Sequence, residues 1–134
     1  MEQVSTAATT RSKRSSVTRL TKSSKILKVI TKAIKDKKGE NIIQLDLRRL
    51  PEAVTDFLIV CEGGSHVQVK AIANHIEQQV KEVIGELPYK HEGQQTGQWV
   101  LIDYVNVVVH VMHPEARKFY RLEELWSDGV AEEM

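Results

Sequence analysis

Hydrophobic positions along the chain change period several times, and each change marks an element. Between Ser24 and Lys38, the residues Ile26, Leu27, Ile30, Ala33 and Ile34 recur at helical spacing, with lysines between them and Gly39 as a stop. Asn41 to Leu47 (NIIQLDL) then has the β-branched content of a strand. Pro51 breaks the chain before Asp56 to Cys61 (DFLIVC), a continuous apolar run of the kind buried on both faces of a sheet. Gly63-Gly64-Ser65 predicts a tight turn with Ser65 as a helix N-cap. Helical spacing resumes at Val69, Ile72, Ala73, Ile76, Val80, Val83 and Ile84 and stops at Gly85. Tyr89 to Glu92 predicts a short strand, and Gly93 to Gly97 a loop. Trp99–Asp103 and Val107–Met112 read as two strands joined at Tyr104-Val105-Asn106. Alternation sends Trp99, Leu101 and Asp103 to one face and Val100, Ile102 and Tyr104 to the other. In the next strand it separates Val108, His110 and Met112 from Val107, Val109 and Val111. Pro114 opens a last helix, whose spacing puts Phe119, Leu122, Leu125 and Trp126 on an inner face.

The resulting order, α-β-β-α-(β)-β-β-α, predicts a mixed β-sheet covered by helices, an α/β (α+β mixed) layer fold. One domain is expected over residues 23–128, with a disordered basic tail at 1–22 and a flexible C-terminus at 129–134. No apolar run approaches the roughly 18 residues of a membrane span, and no apolar stretch of a secretory signal follows the N-terminal basic residues. The lone Cys61 fits a reducing compartment and a small buried side chain.

Charge changes the picture more than composition does. Residues 1–38 hold eleven Lys and Arg against two acids, whereas residues 39–134 hold eight against sixteen. An acidic body is a poor surface for wrapping nucleic acid and suits a basic protein partner better. The tail has the composition of a solvated segment, of one that touches ribosomal RNA, or of an organellar transit peptide.

Candidate chemistry is sparse. Gly63-Gly64-Ser65, after a strand and before a helix, has the position of a phosphate-holding turn. A nucleotidyltransferase would then need an Asp-x-Asp or Asp-x-Glu pair for Mg²⁺, and the corresponding distance holds His75-Ile76-Glu77 instead. His91, His110 and His113 lack zinc-ligand spacing, and one Cys completes no structural zinc site. A Cys61–His110 nucleophile pair depends on a spatial relation the sequence does not give. The segment from Trp99 to His110 leaves two readings open: a docking surface rich in aromatics, or a core Trp99 with hydrogen-bonded Asp103 and His110 beside it.

Several stretches in fixed order carry a resemblance. They are Asp56-Phe57-Leu58-Ile59-Val60, Gly64-Ser65, Trp99-Val100-Leu101-Ile102-Asp103-Tyr104, Val107-Val108-Val109-His110-Val111 and Phe119-Tyr120-Arg121-Leu122-Glu123-Glu124-Leu125-Trp126. Over about Ser24 to Asp128 the sequence resembles the ribosomal silencing factor (RsfS, Iojap) family. The resemblance implies a nucleotidyltransferase-like sheet without the chemistry, no cofactor, and a binding function. Its implied partner is ribosomal protein number fourteen of the large ribosomal subunit, where a bound factor blocks joining of the small subunit and represses translation. Organellar relatives act in large-subunit assembly, and members of the family can form homodimers. Carried over as partner-binding candidates are Trp99, Asp103, Tyr104, Asn106, His110, Tyr120, Glu123, Glu124 and Trp126. The bacterial cytoplasm is the implied compartment, with an organellar matrix second. One departure stands out: family members often carry Asp-Tyr-Gly-Asp where this chain has Asp103-Tyr104-Val105-Asn106.

Overall fold

The structure is a computed structural model and describes residues 25–53, 55–121, 124 and 129–134. Its elements run α1 (Lys25–Asp36), β1 (Glu40–Asp46), β2 (Phe57–Glu62), α2 (His66–Val83), β3 (Lys90–Glu92), β4 (Trp99–Asp103), β5 (Val107–Met112), α3 (Pro114–Tyr120) and β6 (Val130–Glu133). The six strands form one sheet in the order β3-β4-β5-β2-β1-β6. Only β2 and β5 pair in parallel, with Val60 opposite His110 and Cys61 opposite Val111. The other neighbours are antiparallel. The mixed sheet with helical cover is the α/β layer fold expected.

Two apolar layers sandwich the sheet. On one face, Ile30 and Ile34 of α1 and Ile72 and Ile76 of α2 pack on Phe57, Ile59, Cys61, Val100, Ile102, Tyr104, Val107, Val109 and Val111. On the other, Leu45, Leu58, Val60, Val108 and Met112 meet Leu47 and Ala116, with Trp99 and Leu101 half-buried beside them. The strand alternation therefore sorts side chains as the sequence predicts. The central strands β2 and β5 are buried on both faces almost throughout, which is why they read as unbroken apolar runs.

Turn chemistry fixes the connections. Ser65 caps α2, its Oγ accepting from the backbone N–H of Gln68. Gly97 has φ +71, and a Cβ there would sit 2.6 Å from the carbonyl oxygen of His66, so the start of β4 lies against the start of α2.

Two expectations are corrected at the C-terminal end. Residues 129–134 are not simply a flexible terminus, because Val130–Glu133 forms edge strand β6, paired antiparallel with β1. The helix opened by Pro114 is also interrupted within its predicted run, with Glu124 beyond the break again helical. It stops at Arg121, whose left-handed backbone (φ 50) ends the helical turn. Ala116 and Arg117 face inward from α3, whereas Phe119 is exposed. Leu122, Leu125 and Trp126 lie outside the described residues.

Candidate docking surface

The face of the sheet opposite α1 and α2 carries a ladder of aromatic rings that runs from the interior to solvent. At its base, Trp99 Nε1–H donates to His110 Nδ1 at 2.9 Å, with ring centroids 5.8 Å apart. Both residues point to this face, from β4 and its antiparallel neighbour β5. His110 is only 7% exposed, and burial pushes its pKa down from 6.5 to about 4. The ring is therefore neutral near pH 7, with Nδ1 free of a proton and able to accept. The bond orients the indole.

Tyr120 covers the other side of Trp99, ring centroids 4.7 Å apart, and Phe119 meets Tyr120 edge-on at 5.0 Å. Tyr120 is 50% exposed and Phe119 78%. Helix α3, which carries both, has seven residues and is held at its start and through the Arg117 side chain. At its start, the His113 backbone N–H donates to Gln98 O at 2.8 Å, beside the first residue of β4. In its middle, Arg117 Nη1 donates to Asn41 O at 2.6 Å and to Glu62 Oε2 at 3.1 Å. That buried guanidinium ties α3 to the sheet at β1 and β2.

The remaining predicted site residues divide. Asp103, at the far end of β4, is buried and its Oδ1 accepts from the Val105 backbone N–H at 2.7 Å. It shapes the β4–β5 turn. That turn is unusual: Val105 has φ 75, and Asn106 N–H donates to Tyr104 O at 2.9 Å, a γ-turn centred on a β-branched residue. Asn106 O accepts from both Asp56 N–H and Phe57 N–H, and Thr55 Oγ1 donates to Val105 O, so the strained turn is held from three sides. Tyr104 does not join the Trp99 surface. It points the other way, into the α1/α2 layer, because it alternates with Asp103. Glu124 is exposed and 3.8 Å from Arg121, whereas Glu123 and Trp126 lie outside the described residues. Phe119 and Arg117 are the members that the pattern missed. Phe119 stood on the predicted inner face, and helical spacing alone carries no signal of its 78% exposure.

The groups that suggested chemistry are engaged elsewhere in the fold. In the Gly63-Gly64-Ser65 turn, Gly63 N–H donates to Met112 O and Gly64 N–H to Gln68 Oε1, so these two amides are already engaged. Cys61 lies in the α1/α2 layer and His110 on the opposite face, so they form no pair. Burial pushes the Cys61 thiol up to about 12. His91 is held by Glu77 at 2.8 Å, His75 by Asp36 at 3.2 Å, and His113 caps α3. No helix among the described residues is long and apolar enough to cross a membrane.

Comparison with known proteins agrees with this geometry. The family model described as "Ribosomal silencing factor during starvation" (RsfS) matches residues 20–134. A ribosomal silencing factor of Bacillus subtilis is 43% identical over 104 residues, covering 78% of this chain and 86% of the relative. A crystal structure of a Chromobacterium violaceum protein superposes with a TM-score of 0.72 at 42% identity, covering 76% of this chain and 83% of that one. More distant matches include the mouse "Mitochondrial assembly of ribosomal large subunit protein 1", 32% identical over 75 residues, covering 54% of this chain and 33% of that protein. The chloroplastic Iojap protein of maize is 31% identical over 108 residues, covering 78% of this chain and 45% of that protein. With the matched region spanning all the described residues and the sheet shared with a solved relative, the chain belongs to the ribosomal silencing factor (RsfS, Iojap) family.

Proposed function

We propose that this chain docks through its Trp99–Tyr120–Phe119 surface on ribosomal protein number fourteen of the large subunit and thereby keeps the small subunit from joining. The observation that carries this reading is the exposed Phe119–Tyr120 ring pair on an immobilised Trp99. Rigid aromatics that lose little freedom on binding are typical anchors of protein interfaces. The acidic balance of residues 39–134 favours encounter with a basic ribosomal protein. The mechanism is steric, needs no cofactor and no turnover, and scales with occupancy. Asp103 and His110 act as supports that hold the turn and the indole, and Glu124 is a candidate charged contact at the rim. The compartment is the bacterial cytoplasm, where subunits join. A second copy seated on the same aromatic face would compete with docking.

A second reading, assembly of the large subunit, is favoured by the name of the mouse relative. It uses the same surface on an immature particle.

The test is a subunit-joining assay on sucrose gradients with increasing protein. Loss of joined particles, with the protein travelling on the large subunit, is expected. Tyr120→Ala and Phe119→Ser, exposed and outside the core, should restore joining. Normal joining without co-sedimentation refutes the docking reading, and binding confined to immature particles replaces it with the assembly one.

A further inference from the structure

The opposite side of the molecule has a second polar feature that the docking surface does not use. Lys25, Lys28, Lys32 and Lys35 are exposed on α1. At 100° and 1.5 Å per residue they form one stripe about 80° wide and about 15 Å long. Lys37 and Lys38 extend it past the helix end. Over residues 25–38 there are six lysines and one acid, Asp36, which pairs with Lys32 at 3.3 Å. This segment thus carries a net excess of basic charge, whereas residues 39–134 are acidic on balance.

Beside this stripe lies a cleft of about 270 Å³ lined by Leu27, Lys28, Thr31, Lys32, Lys35, Gln44 and Met134. Two of its side chains are buried and unsatisfied: Thr31 Oγ1 and Gln44 Oε1 have no hydrogen-bond partner, at 8% and 2% residue exposure. A buried amide oxygen left unpaired costs about 1–3 kcal/mol, so such atoms need a reason. One comes from α1 and the other from β1, and both line this cleft together with Lys28, Lys32 and Lys35.

We propose that α1 and this cleft form a binding surface for single-stranded RNA, with phosphates on the lysine stripe and one unstacked base inserted edge-first toward Gln44 and Thr31. The chemistry matches group by group. Base edges offer amino donors for Gln44 Oε1 and both donors and acceptors for the Thr31 hydroxyl. Met134 and the aliphatic stems of the lining lysines meet the faces of a base. Lys25 at one end and Lys37 and Lys38 at the other lie outside the cleft lining, which a free mononucleotide would not exploit and a strand does. Glu133, on the neighbouring cleft with Lys35 and Met134, repels phosphate and keeps the backbone on the helix side. This inference does not rest on the docking reading, because α1 and Trp99 lie on opposite faces of the sheet.

Fluorescence anisotropy of the full-length chain with fluorescein-labelled twelve-nucleotide A, C and U homopolymers tests it. Wild type should bind with affinity that falls steeply with salt. Lys28→Glu/Lys35→Glu should bind at least tenfold more weakly, its slope of log affinity against log salt shallower by about 1.4, at about 0.7 per lost phosphate contact. Thr31→Val keeps the side-chain shape and should reduce discrimination among the three homopolymers, while Trp99→Ala should leave RNA binding intact. Unchanged affinity in the double-lysine variant assigns the binding to residues 1–24 and overturns the proposal. Competition by poly-L-glutamate as effective as by RNA overturns it in favour of an acidic protein partner. Unchanged homopolymer preference in Thr31→Val overturns the base-insertion step.

Discussion

Acidification perturbs the hydrogen bond at the base of the aromatic ladder. His110 accepts from Trp99 only while its Nδ1 is unprotonated, and burial holds its pKa at about 4 against 6.5 for a solvated imidazole. The unfolded chain therefore binds a proton at this residue before the folded one does. Stability rises with pH wherever the unfolded state carries more protons, so the fold weakens as pH falls from about 6.5 toward 4. At 1.36 kcal/mol per pH unit, the difference from 6.5 to about 4 amounts to about 3 kcal/mol from this one ring. Urea titrations at pH 7, 6, 5 and 4 measure the total, and His110→Asn isolates the contribution. The Asn amide oxygen can occupy the place of Nδ1 and accept from Trp99 without titrating. Its stability should fall by about 3 kcal/mol less than wild type between pH 7 and pH 4. Parallel curves for the two proteins, or an NMR titration of the folded His110 ring near 6.5, would refute the argument. The same acidification should weaken docking, since a protonated His110 no longer orients the indole.

Three further outcomes follow from the geometry. Arg117→Met strands Glu62 in a mostly buried site and frees Asn41 O, which should cost about 3 kcal/mol in urea unfolding; a loss below 1 kcal/mol would mean the pair is solvated. Val105→Gly removes a β-branched residue from a positive φ, a strain of about 1–2 kcal/mol partly offset by glycine's greater unfolded entropy, so the melting temperature should rise; a fall would show that the Val105 side chain contributes more than its backbone costs. Cys61, with its thiol pushed up to about 12 in the core, should react with a disulfide reagent at pH 8 only as fast as the protein unfolds, and rapid labelling of the native protein would contradict its burial.

Much of the fold was legible because the sheet's central strands carry their own signal. DFLIVC and VVVHV bury both faces, and the alternation in Trp99–Asp103 assigns each side chain to the correct layer. Edge strand β6 was not legible for the converse reason. Its side chains are all exposed, and its order comes from backbone pairing with β1, which imposes no hydrophobic period. The break at Arg121 was not legible because helical spacing continues past it in the sequence, whereas the backbone turns left-handed there. In the β4–β5 turn the family resemblance singles out Asn106. The structure shifts the physical weight to Val105, which adopts a conformation glycine favours. The polar residues of Trp99–His110 illustrate a wider limit. Pattern puts Trp99 and His110 on one face, but only the 2.9 Å bond makes one the positioning group of the other.

These placements also separate what folds the protein from what it presents. The α1/α2 layer closes the larger core and leaves the opposite face thinly covered. A helix of seven residues has little stability of its own, so α3 depends on tertiary ties. The chief of these, Arg117, reaches Asn41 and Glu62 from within the buried side of the helix, away from the exposed rings of Phe119 and Tyr120. Binding energy from aromatic anchors survives only if ordering them on contact costs little. Here the ordering is done in advance: His110 fixes Trp99, Trp99 seats Tyr120, and Arg117 holds the helix that carries Tyr120 and Phe119. Loosening Arg117 should therefore weaken docking through α3 even at urea concentrations where the sheet remains intact, whereas removing the Phe119 ring should weaken docking with no change in unfolding midpoint.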